Sequence, residues 1–207
     1  IGLVGSEMCI RDRDWLFEQT KAEDVLKKKA PAGMDAKQHG KDGAHKGSPQ
    51  GKALLNTGIA YLYGQDGATD YDVARECFQK AWNDGNMKAG RYLGLMAANG
   101  LGEKQSDAQA AQWYDKAQQK GDTTSMYLLG KCYEQGKGVK QDYAKARSLY
   151  EKAAQRTDHV GAPAMVYLDD MYAKGLGVAA DTAKAKAWYQ KAAVTGNLDA
   201  IEALKQL

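Results

Sequence analysis

The feature that most restricts this chain is a period. Gly58, Gly94 and Gly130 stand 36 residues apart, and the same step links Cys77, Trp113 and Leu149, then Phe78, Tyr114 and Tyr150, then Lys80, Lys116 and Lys152. A fourth copy follows at a step of 39, seen in Tyr133 to Tyr172, Gly136 to Gly175, Gly138 to Gly177, Asp142 to Asp181, Tyr150 to Tyr189 and Lys152 to Lys191. Three extra residues therefore fall between copies three and four, around His159 to Pro163. A unit of this length cannot bury its apolar face alone, so successive copies must stack into a continuous core.

Within copy three, Tyr127 or Leu128, Leu129, Cys132 and Tyr133 lie three to four residues apart and mark one face of a first helix, helix A. It runs into Gly136, Gly138 and Val139, and glycine is the expected residue just past a helix end, where left-handed backbone is favoured. Asp70, Ser106, Asp142 and Asp181 come next, each placed to accept from the free N–H groups that open a second helix, helix B, with Ser106 and Gln109 spaced as a capping box. Helix B continues through Ala74, Ala110, Ala146 and Ala185 and stops near Gly85, Gly121, Thr157 and Gly196. Small residues, Ala53, Ala89, Ser125, Ala164 and Ala200, recur at the start of helix A and set how closely the copies approach. The expected fold is all-α: a solenoid of four helix-turn-helix repeats, about 53–86, 89–122, 125–158 and 164–197, plus a terminal helix at 198–207 that caps the stack.

Composition agrees with that reading. Only three prolines among 207 residues, with abundant Ala, Lys, Gln, Glu and Leu, favour helix over sheet, and 43% hydrophobic residues suffice for a sizeable core. The formal charge of +3, from 29 basic and 26 acidic residues, is nearly balanced, which argues against a nucleic-acid partner. No apolar run approaches the ~20 residues of a membrane span. Cys9, Cys77 and Cys132 are odd in number and lack CxxC spacing, so no disulfide framework is expected. Ahead of the repeats, Ile1 to Arg13 (IGLVGSEMCIRDR) resembles a translated sequencing-library adapter and is expected to be a cloning or assembly scar, with the natural N-terminus outside the sequence. Residues 14–29, with Trp15, Leu16, Phe17, Ala22, Val25 and Leu26, are expected to form a short amphipathic helix. Residues 30–50, rich in Gly, Lys, Ala and Asp, are expected to be a flexible linker.

The segments LGKCYEQGKGVKQDYAKARSLYEKAAQ and GLGVAADTAKAKAWYQKAAVTGNLDA resemble the Sel-1-like repeat family, relatives of tetratricopeptide repeats, over about residues 51–207. The loop Gly-x-Gly-Val, the Asp-Tyr before Ala, the Trp-Tyr-x-Lys-Ala-Ala and the closing glycine recur in order. The resemblance implies a right-handed superhelix acting as an adaptor in protein complexes, commonly in bacterial envelope or signalling settings, which favours the periplasm or cell envelope. Four positions depart from the pattern: Asp66 replaces the second loop glycine, Ala97 the helix A tyrosine, Thr157 the closing glycine and Asp169 the helix A glycine. The last two flank the insertion, where a local change of superhelical angle is expected.

An enzyme would need a nucleophile, a base or a metal. None of His39, His45 and His159 is followed by glutamate, so the chain has no HExxH helix, and Gly100, Gly136 and Gly175 open no dinucleotide loop because each sits between helices. Some cysteine-rich relatives in the family are described as penicillin-binding, β-lactamase-like proteins, but no repeat here holds two cysteines and no serine has a lysine three positions later. No catalytic residue, cofactor or metal site is expected. Trp113, Tyr114, Tyr150, Trp188 and Tyr189 read as core, Cys77 and Cys132 as small buried apolar residues, and Lys80, Lys116, Lys152 and Lys191 as cations favoured by the helix dipole near helix B ends.

Specificity is then expected where the copies disagree on a shared face. On helix A, the aligned set Leu55, Arg91, Tyr127, Val166 is followed by Ile59, Leu95, Lys131, Asp170 and by Leu62, Ala98, Glu134, Ala173, offsets that keep one helical face. In helix-pair solenoids the A helices generally line the concave side. The expected partner-binding residues are Leu55, Ile59, Arg91, Leu95, Tyr127, Lys131, Glu134 and Asp170, receiving a protein or peptide with Tyr127 and Arg91 as anchors. The alternative is recognition of glycan or other envelope material in the same groove.

Overall fold

The computed structural model describes residues 47–65, 67–197, 200 and 201, all within one unit of the chain that spans residues 43–207. The adapter-like segment 1–13, the helix expected at 14–29, most of the linker expected over 30–50, Asp66 and most of the terminal helix 198–207 lie outside the described residues. Eight helices, and no strand, occur among the described residues: α1 (Pro49–Tyr63), α2 (Tyr71–Asn83), α3 (Met87–Asn99), α4 (Asp107–Gln119), α5 (Thr123–Gln135), α6 (Tyr143–Ala153), α7 (Ala162–Lys174) and α8 (Thr182–Val194). Odd-numbered helices are the A helices and even-numbered ones the B helices. Each packs on its neighbours in sequence, more extensively within a repeat than between repeats, as a helical-repeat solenoid requires.

The helix starts follow from the capping residues. Val73 donates its N–H to Asp70 at 3.0 Å, Gln109 to Ser106 at 3.3 Å, Lys145 to Asp142 at 3.0 Å and Lys184 to Asp181 at 2.9 Å, so each B helix opens on the side chain that the period marked out. The A helices end on Gly64, Gly100, Gly136 and Gly175, all left-handed, with φ between 62° and 68°. The first helix starts earlier than the expected linker allows: Ser48 caps it and Pro49 occupies the first turn, where a missing N–H costs nothing. At the far end of the described residues, Asn197 accepts from Ala200 N–H at 2.9 Å, and Ala200 and Ile201 are helical.

The glycine inside helix A is a seat for an aromatic ring of the same repeat. A Cβ on Gly58 would lie 2.6 Å from Phe78 Cε1, one on Gly94 2.5 Å from Tyr114 Cε1 and one on Gly130 2.6 Å from Tyr150 Cε1. Those three rings are the largest buried contributions of the B helices. The next A helix also touches the ring: Phe78 stacks on Tyr92 with centroids 4.9 Å apart, and Tyr150 on Tyr167 at 5.0 Å. Leu128 holds the equivalent place in the middle interface and packs against the cluster containing Tyr114. One ring thus links two repeats, which is how short helix pairs share a core.

The second loop glycine also serves contact between repeats. A Cβ on Gly102 would meet Tyr71 Cβ at 2.6 Å, one on Gly138 the Asp107 carbonyl oxygen and one on Gly177 Tyr143 Cβ. Each contact is to the first residue of the preceding B helix. Copy one has no preceding B helix among the described residues, which fits the departure from glycine at that position of its sequence.

Candidate functional site

The helix A stripe was expected to present a partner surface, and the structure corrects much of it. Leu55, Leu95 and Tyr127 are buried, with exposures of 6%, 7% and 3%. Leu95 and Tyr127 are core residues because α3 and α5 are each flanked by helices of two repeats, whereas Leu55 is enclosed on α1, which packs on α2 of its own repeat. Arg91 is engaged too: its side chain, 13% exposed, approaches Asp122 at 3.7 Å, itself 5% exposed. Glu134 accepts from the Tyr150 hydroxyl at 2.7 Å. Ile59, Lys131 and Asp170, at one aligned register of α1, α5 and α7, remain half-buried and reach solvent. Lys131 stands 5.9 Å from the centre of the Tyr167 ring, and Asp170 pairs with Lys174 at 2.9 Å.

The residues that tie repeat to repeat form a set that sequence reasoning missed. Asn86 caps α3 and donates to the Gly51 carbonyl at 3.4 Å, reaching from one repeat to the one before it. One period later Asp122 caps α5, accepting from Ser125 N–H at 2.9 Å and Ser125 Oγ–H at 2.7 Å while facing Arg91. Both are buried. Asp158 and Asn197 continue the series, so the recurrence at 86, 122, 158 and 197 was available in the sequence. The wetter helix B caps, Asp70, Asp142 and Asp181, drew the reading instead.

At the insertion, the Asp158 carboxylate accepts from Val160 and Gly161 N–H, and its carbonyl accepts from Gly161 and Ala162, so the extra residues form a turn leading into α7. Burial acts to raise the Asp158 pKa, but the hydrogen bonds and charge of Arg156, with the two amides, hold it below the usual carboxylate range. Thr157 takes no left-handed backbone, unlike the glycines at the other repeat ends, and α6 stops two residues short of the length of the other B helices. Asp169, at the seat of the ring, is accompanied by a half-buried Tyr189, and burial together with the neighbouring Asp170 raises its pKa.

The paired aromatics of helix B split between core and flank. Tyr114 and Tyr150 are buried, whereas Trp113, Trp188 and Tyr189 are half-buried, a correction to their reading as core. The first ring of the pair points along the stack, so Trp82 and Trp113 meet edge to face at 5.6 Å. Lys116 lies over Trp113 at 4.6 Å and Lys191 over Trp188 at 4.1 Å, a cation–π role added to their favourable place in the last turn. Cys77 and Cys132 are half-buried free thiols, less enclosed than expected. Among the described residues no helix is long and apolar enough to cross a membrane.

Comparison with known proteins bears on the whole unit. The model of the Sel1 repeat matches residues 51–86, 89–122, 123–158 and 162–193, more than half of the chain. A solved protective antigen of uropathogenic Escherichia coli with an SLR fold is 37% identical, covering 72% of this chain and 32% of its own, with a TM-score of 0.62. A Sel1 repeat protein from Oxalobacter formigenes is 31% identical, covering 74% of this chain and 60% of its own, with a TM-score of 0.67. The chain spans about a third and three fifths of those two proteins. Among curated proteins, none matches it. Sel1 repeat proteins are generally scaffolds for protein–protein interaction and typically not enzymes. With four matched repeats, eight alternating helices and the glycine-seated ring recurring in order, this chain belongs to the Sel1 repeat family.

Proposed function

We propose that this chain is an adaptor that binds a protein segment across its A helices. The observation that carries the reading is the division of labour among its residues. Recurring side chains are consumed by caps, ring seats and contacts between repeats, while Ile59, Lys131 and Asp170, which differ from copy to copy, keep part of their surface in water. A row of one apolar, one basic and one acidic group at a shared register suits a peptide read in order along the stack. Leu95 holds the same register in copy two and is buried, and Leu55, Arg91 and Tyr127, one helical turn earlier, serve as packing residues.

The test is a peptide-display selection on the full chain, repeated with the charge-reversed variant Lys131→Glu, Asp170→Lys after circular dichroism shows equal helicity. Peptides enriched on the parent should bind the variant at least about tenfold more weakly. Equal binding to both would remove this surface from the reading.

A further inference from the structure

A different surface carries a more specific inference. Between copies one and two, Trp82 of α2 and Trp113 of α4 meet edge to face and bridge successive B helices, with Lys120 over the first ring at 4.0 Å and Lys116 over the second at 4.6 Å. One period on, the same two positions are Gln118 and Leu149. Neither carries a ring, and an open groove of about 220 Å³ lies there. Tyr133 of α5 and Leu149 of α6 line it together with Gln118 and Lys152, the buried Leu129 borders it, and Lys145 stands over the Tyr133 ring at 5.1 Å and 4.0 Å from Asp142. Asp115 also borders it, with its carboxylate taken by Gln118 and Gln119 Nε2 at 3.0 and 2.8 Å. A second hollow beside it shares Tyr133 and Lys145 and adds Val139 and Lys140.

The lysines point to what the groove lacks. Lys116 and Lys191 each cover a tryptophan three residues back on their own helix. The residue three back from Lys152 is Leu149, and among the described residues no ring lies under that ammonium. We infer that the groove between α4 and α6 is a docking site for a partner peptide presenting a tryptophan or tyrosine flanked by carboxylates. The ring takes the place that Trp113 fills one repeat earlier, against Leu129, Leu149 and Tyr133 and beneath Lys152, and the carboxylates meet Lys145 and Lys152. Leu129 and Tyr133 lie on the side of α5 opposite Lys131, since two residues along a helix turn it by about 200°. The site therefore stands independently of the A-helix surface.

The experiment is an amide NMR titration of the full chain with acetyl-Glu-Trp-Glu-amide and with the same peptide carrying alanine for tryptophan. Shifts should appear at residues 129–133 and 145–152 with the tryptophan peptide and not with the alanine peptide. Leu149→Trp, which restores the ring from within, should abolish them, and Lys152→Gln should weaken binding about three- to fivefold. If Leu149→Trp loses helicity, Gln118→Trp fills the same groove from α4 and replaces it. The inference is overturned by an absence of shifts up to about 10 mM peptide, by equal shifts from the alanine peptide, or by shifts that persist in a folded groove-filled variant.

Discussion

Gly130→Ala isolates the contact on which the repeat is built. The added Cβ would lie 2.6 Å from Tyr150 Cε1, 2.9 Å from Cδ1 and 3.2 Å from Cζ, closer than carbon atoms pack. The ring has little room to retreat, being fully buried, stacked on Tyr167 at 5.0 Å and tied through its hydroxyl to Glu134 at 2.7 Å. Two effects oppose each other. Alanine in place of glycine inside a helix gains about 1 kcal/mol, whereas overpacking a core costs about 1–3 kcal/mol. Breaking the buried hydroxyl bond as the ring shifts adds about 1–3 kcal/mol more. The loss therefore exceeds the gain, by about 3 kcal/mol, which lowers the melting temperature by about 6–12 °C. Because a repeat array need not unfold in one step, the decisive assay is a double-mutant cycle in urea: Gly130→Ala in the parent and again in Tyr150→Leu. With the ring gone, the alanine should stabilise by about 1 kcal/mol, giving a coupling of about 4 kcal/mol. A neutral or stabilising effect in the parent, or equal effects in both backgrounds, would refute the role assigned to the ring seat.

Other expectations follow from contacts between repeats and from burial. Asp122→Ala removes a buried cap that also accepts from the Ser125 hydroxyl, so urea unfolding should show a loss of about 2 kcal/mol, against about 1 kcal/mol for the more exposed cap variant Asp142→Ala. Asp158→Ala should cost about 1 kcal/mol and speed hydrogen exchange at the Val160 amide, which loses its acceptor, more than at Gly161, whose amide keeps the residue-158 carbonyl. The folded pKa of Asp158 lies below its unfolded value, so its contribution is present above the usual carboxylate range and lost as pH falls through the folded pKa, a titration that carboxyl NMR follows. Burial, with the nearby Asp107 charge, pushes the Cys132 thiol up to about 11, so alkylation should be slow near neutral pH and accelerate as the medium approaches that value. Since that shift is upward, the stabilisation it reports is complete below the unfolded thiol pKa and declines as pH rises to about 11.

The caps of the B helices and the left-handed ends of the A helices were legible because they depend on neighbours three or four residues away. The period made them visible four times over. The stripe on helix A was legible as a helical face and illegible as a surface. Leu55, Arg91, Tyr127 and Val166 share one register, yet the structure buries Leu55 and Tyr127, holds Arg91 in an ion pair and leaves Val166 half-buried. That outcome depends on which neighbouring helices each position meets. Helical periodicity describes one helix, and burial in a solenoid is a property of three or more.

What the sequence by itself determined is the unit: its length, its two helices, where the B helices start and the A helices stop, and that four copies stack. Those follow from local hydrogen bonding and from the need of a short helix pair to cover its apolar face. Only the tertiary structure decided why Gly58, Gly94 and Gly130 recur, since the atoms that exclude a Cβ belong to rings about twenty residues away. It also decided that Asp122 faces Arg91 across two repeats and that a groove lies where Gln118 and Leu149 stand in place of two tryptophans. Each is a meeting of side chains remote in sequence, and close packing, which has no sequence period of its own, fixes which of them touch.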